Sequence, residues 1–468
     1  MRAIRAVGAY APEFRLPAGE ISEAWGRMDA AGIESVAVPD ADEDALTMAA
    51  AAARRALDAA GVGGDAVEHL ALATTTPPLA EEELTPRLAS MLGVGERASL
   101  QAHAGSTRAA TRALFCAPAD ATALVVASDA PRGEPGDAFG QAAGAGAVAL
   151  LCAPDGAARA VASGEYATPY PGTRFRPTGD ETLSGLGVTS YDRRAFTDTL
   201  SRAAEGVETG DATAAAVQAP DGKLPYRAAG ALGVEREAVR ACATVHELGD
   251  TGAASVPLSL ARALEAGHET VVAAAFGSGA GADVLRIEVD GGVPADLALD
   301  GGEEVSYARA LRLRGEITGE GPGTGAAYVS VPTWRRSIPQ RHRLVAGRCP
   351  DCGALAFPPE GACSECGALA EYDPVELPRE GVIEAVTRIG RGGAPPEFAE
   401  QQARSGGFGV AIVRFEVDGE TTSLPAQLVG EAAVGDAVRA VIRRIYTQEG
   451  VTRYGAKFRR AERAASPP

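Results

Sequence analysis

Arg87-Leu88-Ala89-Ser90-Met91-Leu92-Gly93-Val94 reads like Arg227-Ala228-Ala229-Gly230-Ala231-Leu232-Gly233-Val234, 140 positions later (87 against 227). The segments downstream of these two octapeptides are also alike. In both, the pattern predicts a short strand, then a Gly-centred turn, AHAGST at 102–107 and LGDTGAAS at 248–255. A helix rich in Ala and Leu comes next, then an apolar strand and a Gly/Ala-rich hairpin, GQAAGAGAVAL and GSGAGADVLRI. Solenoid repeats run roughly 20 to 50 residues, so an offset this long predicts one domain duplicated within itself.

Around the two copies, strand-like apolar runs alternate with Ala/Leu-rich helical runs up to about residue 290. They include HLALATTT (69–76), ATALVVASD (121–129), AGAVALLCA (145–153), ATAAAVQA (212–219) and TVVAAAFGSG (270–279). Alternation of this kind predicts a layered α/β fold with a largely parallel central sheet. Residues 290–305, DGGVPADLALDGGEEV, lose apolar periodicity and collect Gly, Pro and Asp, which places a boundary there. The expected organisation is a duplicated α/β domain over 1–290, a linker and helical lead-in over 291–340, a metal ribbon over 341–372 and a small barrel over 373–468. The barrel expectation rests on GVIEAVTRIG, FGVAIVRFEVDGETTSLPAQLVG and DAVRAVIRRIY, short β-patterned runs with Asp418-Gly419 as a hairpin signal.

Composition narrows the function classes. The net charge is −18, from 62 acidic and 44 basic residues, and only Lys223 and Lys457 are lysines. A diffuse acidic surface repels nucleic acid and anionic membranes, and no basic, aromatic-rich stripe accompanies the barrel. Scattered carboxylates suit high salt, as in a halophilic archaeon, although the scarcity of lysine fits a GC-rich genome equally well. No stretch approaches the roughly 20 uncharged apolar residues of a membrane helix, and the N-terminal apolar run is too short for a secretory signal, so the expected location is the cytoplasm.

Four of the seven cysteines form two pairs, Cys349-Pro-Asp-Cys352 and Cys363-Ser-Glu-Cys366, ten residues apart. Each CxxC places two thiolates on one tight knuckle whose backbone amides can face the sulfurs, and two knuckles complete a tetrahedron for Zn²⁺. With all four positions filled by protein, the zinc is expected to be structural. Cys116, Cys152 and Cys242 stand alone in apolar surroundings and read as small core residues.

Five motifs, AVGAYAPEFRL (6–16), ASDAPRGEPGDA (127–138), APDGKLPYRAAGALG (219–233), LGDTGAASVPLSLARAL (248–264) and FGSGAGAD (276–283), carry a resemblance to archaeal 3-hydroxy-3-methylglutaryl-CoA synthase, a thiolase-superfamily enzyme. From about residue 330 the chain resembles the zinc-ribbon and OB-fold proteins that accompany archaeal thiolases and synthases, with RYGAKFRR (453–460) typical of them. The resemblance implies a thiolase-like fold, coenzyme A thioester chemistry, at least a homodimer paired through the sheet edge, and possible association with a separate thiolase. In that family a cysteine at a helix N-terminus is acylated, a glutamate acts as acid and base, and a histidine helps stabilise the oxyanion. Matching flanking residues puts these three roles on Ala102, Thr75 and Gln218. All three are therefore vacant, and Cys116, about four turns along the expected helix, is too far to stand in.

The remaining candidates are His246 and Asp250 as a base and its orienting partner, and His103 just inside its turn. The bland alternative has Asp250 capping the helix that opens at Thr251, with His246 and His103 as satisfied polar residues. Gly277, Ser278 and Gly279 form a turn whose glycines let backbone amides approach a thioester oxygen. Lys223 is a candidate contact for a CoA phosphate, against a plain surface role. Two functions stay open: carbon–carbon bond chemistry on an acyl-CoA without an acyl-cysteine, and a non-catalytic scaffold that binds acyl-CoA or an active thiolase.

Overall fold

A computed structural model describes residues 3–317, 330–369, 371–390, 395–448 and 450–461. The chain divides into two compact units, Met1–Arg314 and Gly315–Pro468.

The first unit is built on one large sheet. Its strands are β1 (Ala3–Tyr10), β2 (His69–Ala73), β3 (Ser99–His103), β4 (Ala123–Asp129), β5 (Gly146–Cys152), β6 (Ala158–Ala167), β7 (Ala214–Val217), β8 (Thr270–Gly277), β9 (Gly281–Val289) and β10 (Ala295–Ala298). They lie in the order β3-β2-β4-β5-β1-β6-β9-β8-β7, with β10 added to β1. The duplication is visible in the pairing. In the first half β2 runs parallel to β4, and β4–β5 and β5–β1 are antiparallel. In the second half β7 runs parallel to β8, and β8–β9 and β9–β6 are antiparallel. The sheet is thus mixed rather than largely parallel, because the strand that closes each copy runs back against its neighbour: β9 through the tight Gly277–Gly281 hairpin, and β5 after a connection that carries the short helix Ala138–Ala142 in place of the expected hairpin. Strand β3 has no counterpart among the described residues: where the repeat predicts a strand after Val234, the chain forms short helices at Arg236–Arg240 and Val245–Leu248.

Helices α1 (Ala45–Ala60), α2 (Thr85–Leu92) and α3 (Ala109–Cys116) of the first half correspond in order to α4 (Thr189–Ala203), α5 (Leu224–Leu232) and α6 (Ser255–Glu265) of the second. Period-2 alternation decides how the layers stack. Along β8, Val271, Ala273 and Ala275 join the core that contains α3 and α6, while Val272, Ala274 and Phe276 join the core that contains α4 and α5. A helix caught inside such a stack must be apolar on nearly every face, and α6 buries all but Arg262 and Glu265. On the other helical layer, α1 starts from a capping box in which the Asp44 side chain accepts from Leu46 and Thr47. Gly8 lets α1 lie directly on β1: a Cβ there would come within 2.2 Å of the Ala56 nitrogen. Gly8→Ala is therefore expected to lower stability by about 2 kcal/mol or more in urea unfolding, since backbone atoms cannot yield as a flexible side chain can.

The first unit extends past the expected boundary at 290. The Gly/Pro-rich turn returns the chain so that β10 pairs with β1, Glu303–Glu304 pairs with the Phe14–Pro17 strand, and helix α7 (Tyr307–Arg314) buries Ala310 and Leu313. A four-residue, half-buried strand is too short to show periodicity, which hides it in the sequence. Residues 318–329 of the expected linker lie outside the described residues.

The second unit opens with helices Val331–Arg336 and Ile338–Arg343, followed by a three-stranded sheet of β11 (Val345–Arg348), β12 (Leu355–Ala356) and β13 (Asp373–Glu376). Strands β14 (Glu380–Ile389), β15 (Phe408–Val417), β16 (Glu420–Val429), β17 (Ala437–Gln448) and β18 (Val451–Arg460) then close an OB-type barrel in the order β14-β15-β16-β18-β17. Asp418 and Gly419 form the two-residue hairpin between β15 and β16, with φ of 55° and 84°. Both left-handed positions identify the primed turn that the Asp-Gly pair predicts. Gly419→Val is expected to cost about 1–2 kcal/mol, read from the barrel's unfolding midpoint.

Candidate functional site

The C-terminal ends of β2, β3 and β4 lie along one edge of the sheet. Strands β7 and β8 run the opposite way, and their ends are brought to the same place by the contacts of Ala253 with Asp129, Gln218 with Gly252 and Thr107 with Phe276. The residues that the resemblance matches to the family's chemistry are thus at or just beyond converging strand ends. Thr74, Thr75 and Thr76 follow β2, Ala102 and His103 end β3, Asp129 ends β4, Gln218 follows β7, and Gly277 ends β8. Crevices at the carboxyl ends of parallel strands are the ordinary place for a ligand in an α/β sheet, because backbone N–H groups there have no strand partner.

Asp129, fully buried, is the hub. Its Oδ1 accepts from Thr74 Oγ1 (2.8 Å), the Thr75 nitrogen (2.6 Å), and the nitrogen and Oγ1 of Thr76 (both 3.0 Å). Its Oδ2 accepts from Thr75 Oγ1 (2.8 Å) and the Ala253 nitrogen (2.7 Å). The carboxylate thus ties the β2 end to the turn before α6, where Gly252 is required because a Cβ would sit 2.2 Å from Asp129 Oδ2. The Thr75 hydroxyl, which the resemblance matches to a glutamate, is committed to this cage. Asp129 is absent from the candidates drawn from the sequence; the run Thr74-Thr75-Thr76 facing a strand-ending aspartate is the signal that could have marked it.

Gln218, which the resemblance matches to a histidine, is buried; its Nε2 donates to the Gly252 carbonyl (2.9 Å), and its Oε1 has no hydrogen-bond partner among the described residues. On the other arm of the same turn, Asp250 Oδ1 accepts from the Gly252 nitrogen (2.9 Å), so Asp250 caps the turn leading into α6. Its Oδ2 is paired with Arg174, from the 168–188 loop. The same loop sends Arg176 Nη2 to the Thr75 carbonyl (2.6 Å). Its start is fixed by the Thr168 and Tyr170 nitrogens on the Ala280 and Gly279 carbonyls.

His246 and Asp250 are not a dyad. His246 Nδ1 lies 2.6 Å from the Gly32 carbonyl and Nε2 lies 2.7 Å from the Tyr226 hydroxyl, so both ring nitrogens are engaged away from Asp250. The four-residue helix carrying His246 ends at Leu248, and Gly249, at φ 78°, turns the chain before Asp250. Lys223 is exposed, on a turn stabilised by Asp221 Oδ1 accepting from the Lys223 and Leu224 nitrogens. His103 is half-buried with Nε2 3.4 Å from Gln101 Oε1, and burial together with the Arg112 charge holds it below the usual histidine range.

Ala102 lies on the β3 edge strand, and helix α3 opens only at Ala109, so Cys116 is its last residue, two turns along and exposed rather than buried. Ala109, Ala110, Ala113 and Leu114 form the face of α3 that joins the core, and Cys116 lies off it. Cys152 and Cys242 are core residues, and burial pushes the Cys242 thiol up to about 12. The 102–108 loop meets the Gly277–Gly279 turn through Thr107 Oγ1, which donates to the Phe276 carbonyl at 2.6 Å. Ser106 and Arg108 cover Gly277, while Ser278 is half-buried and Gly279 exposed. Behind the turn, buried Asp283 accepts from Thr111 Oγ1 (2.5 Å) and from Arg108 and Arg112 (3.2 and 3.4 Å).

In the second unit the Sγ atoms of Cys349, Cys352, Cys363 and Cys366 all lie within 4.8 Å of one another. The two knuckles repeat one design. Cys349 N donates to Ala354 O and Gly353 N to Cys349 O; Cys363 N donates to Ala368 O and Gly367 N to Cys363 O. Gly353 and Gly367 take the left-handed conformation at φ 82° and 73°. The amides of Cys366 and Glu365 face the Cys363 sulfur and draw its thiol down to about 7. Four convergent thiols of this spacing fit a structural Zn²⁺ and leave it no open position.

Comparison with known proteins gives the same two parts. Residues 336–370 match the family of ChsH2, rubredoxin-like zinc ribbon domains. A hydroxymethylglutaryl-CoA synthase of Pyrobaculum neutrophilum is 28% identical over 334 residues, covering 66% of this chain and 95% of the relative. One from Caldivirga maquilingensis is 30% identical over 315 residues, covering 62% of this chain and 89% of the relative. Among solved structures, an HMG-CoA synthase complexed with CoA superposes with a TM-score of 0.61 at 20% identity, covering 70% of this chain and 94% of that one. Identities of 28% and 30% that extend over 95% and 89% of these relatives lead to one conclusion: this chain belongs to the hydroxymethylglutaryl-CoA synthase family.

Proposed function

We propose that the first unit binds acyl-CoA thioesters at the strand-end site and makes or breaks a carbon–carbon bond on them without an acyl-cysteine intermediate. The observation that carries this reading is the contrast between residues kept and residues lost. The motifs that match the family's scaffold meet at the converging strand ends, while the positions matched to its cysteine, glutamate and histidine hold Ala102, Thr75 and Gln218. An alanine methyl cannot carry an acyl group, so any chemistry here proceeds on the CoA ester itself. Support for the CoA ligand comes from the relatives' names and from the neighbour solved with CoA.

Calorimetry with acetyl-CoA and longer acyl-CoAs in high salt, followed by product analysis, tests this reading. Micromolar binding with a changed thioester product is the expected outcome, and failure of every acyl-CoA to bind would overturn it. Binding without turnover would instead establish the scaffold reading, which the engagement of Thr75 with Asp129 and of Asp250 with Arg174 favours. Lys223, exposed beside its turn, remains our candidate for a CoA phosphate. A homodimer through the exposed edge strand β3, a separate thiolase partner and a cytoplasmic location belong to the same proposal; β3 alone among the paired strands of the first half lacks a counterpart that covers its outer edge.

A further inference from the structure

In the family, a histidine donates a hydrogen bond to the developing oxyanion. The residue at that position here is built the wrong way round for the task. Gln218 spends its donor, Nε2, on the Gly252 carbonyl and presents only the acceptor Oε1. An acceptor repels a carbonyl oxygen that is gaining negative charge. A donor must come from elsewhere, and the same turn supplies the place to look.

Asp250, two residues before Gly252, holds the guanidinium of Arg174, whose side chain is only 9% exposed. The second terminal nitrogen of that guanidinium, Nη2, is buried and has no hydrogen-bond partner among the described residues. An orphaned buried N–H on a cation is costly, and such groups in folded proteins are ordinarily completed by a water or a ligand. Arg174 is also fixed in place: its loop is docked at one end on the Gly279 and Ala280 carbonyls, and Phe175 and Ser184 bridge each other across it. Arg176 reaches the Thr75 carbonyl from the same segment. Two unpaired buried polar atoms, one donor and one acceptor, therefore flank the Asp250–Gly252 turn at the position from which the family's histidine has been lost.

We propose that Arg174 is the carbonyl-binding residue of this site, with Nη2 donating to the thioester oxygen of an acyl-CoA while Asp250 holds the guanidinium in register. This rests on the thioester reading above and adds to it the residue that polarises the ester. A guanidinium paired with a carboxylate is near neutral as a unit, which suits an uncharged carbonyl better than a second carboxylate.

The test compares acetyl-CoA with S-ethyl-CoA, a thioether of nearly the same size that lacks the carbonyl oxygen, by calorimetry on the full chain. Wild type is expected to bind acetyl-CoA about tenfold or more tightly than the thioether, the weight of one hydrogen bond to a charged donor. Arg174→Gln alone leaves Asp250 buried without its partner, so the informative variant is Arg174→Gln with Asp250→Asn, checked for folding by its melting transition; it is expected to bind both ligands equally. A second readout needs no variant: the infrared carbonyl band of acetyl-CoA labelled with carbon-13 at the carbonyl should move to lower wavenumber on binding wild type. Equal affinities in wild type, a preference that survives in the double variant, or an unshifted carbonyl band would each overturn the assignment. If wild type binds neither ligand, the thioester reading itself falls and this assignment with it, an outcome distinct from binding both equally.

Discussion

Cys363→Ser is expected to release the metal and unfold the ribbon. The segment between Arg348 and Asp373 has almost no core of its own: besides Cys349 and Cys363, only Ala354 is buried in its small cluster, with Tyr372 packed beside it. Conformational entropy of that many residues is not offset by so little apolar burial. The metal must supply the difference, and structural zinc sites bind with about 10–16 kcal/mol of apparent free energy in small peptides at neutral pH. Losing one of four thiolates leaves a serine oxygen in a sulfur site and opens the tetrahedron. Metal content should fall from one zinc per chain towards none, and limited proteolysis should begin between Cys349 and Gly367, around the Gly353 and Gly367 corners. Chelation of the wild-type protein should produce the same cleavage pattern. Retention of a full zinc complement, or unchanged protease resistance after chelation, would contradict a structural role.

The second large effect is expected at Asp129. Replacing it with leucine removes the acceptor for six donors, three hydroxyls and three amides, contributed by Thr74, Thr75, Thr76 and Ala253. Each buried donor left unpaired costs about 1–3 kcal/mol, and the hydroxyls can rotate to recover part of it. A loss of about 4 kcal/mol or more is expected for the first unit, a lowering of the melting temperature by roughly 10 °C. Asp129→Asn keeps one acceptor oxygen but turns an NH2 group towards the donors, so it should fall between wild type and leucine. A change under about 1 kcal/mol for leucine would show that the cage does not hold the strand ends together.

Much of this was legible because periodicity and motif spacing are local properties of a chain. The Arg87–Val94 and Arg227–Val234 echo announced the duplication, and the structure lays it out as matching strand orders in the two halves. The two CxxC pairs announced the ribbon, and Asp418-Gly419 its barrel hairpin. Less was legible wherever a residue's role depends on what another segment brings to it. His246 and Asp250 are four positions apart and suggested a dyad, but Gly249 turns the chain between them, and Gly32, Tyr226 and Arg174 claim their polar atoms. The edge strand β10 is too short and too evenly half-buried to carry a pattern.

Residue identity and spacing along the chain were enough for the duplicated α/β architecture, the four-thiol site and the small barrel after it. Packing of distant segments was needed to make Asp129 the hub of the strand-end site, to deliver Arg174 and Arg176 there on the 168–188 loop, and to commit the Gln218 amide to the Gly252 carbonyl. A hydrogen-bond partner that far along the chain is chosen by how the layers pack and by which way each strand end points. Neither is a property of the local sequence.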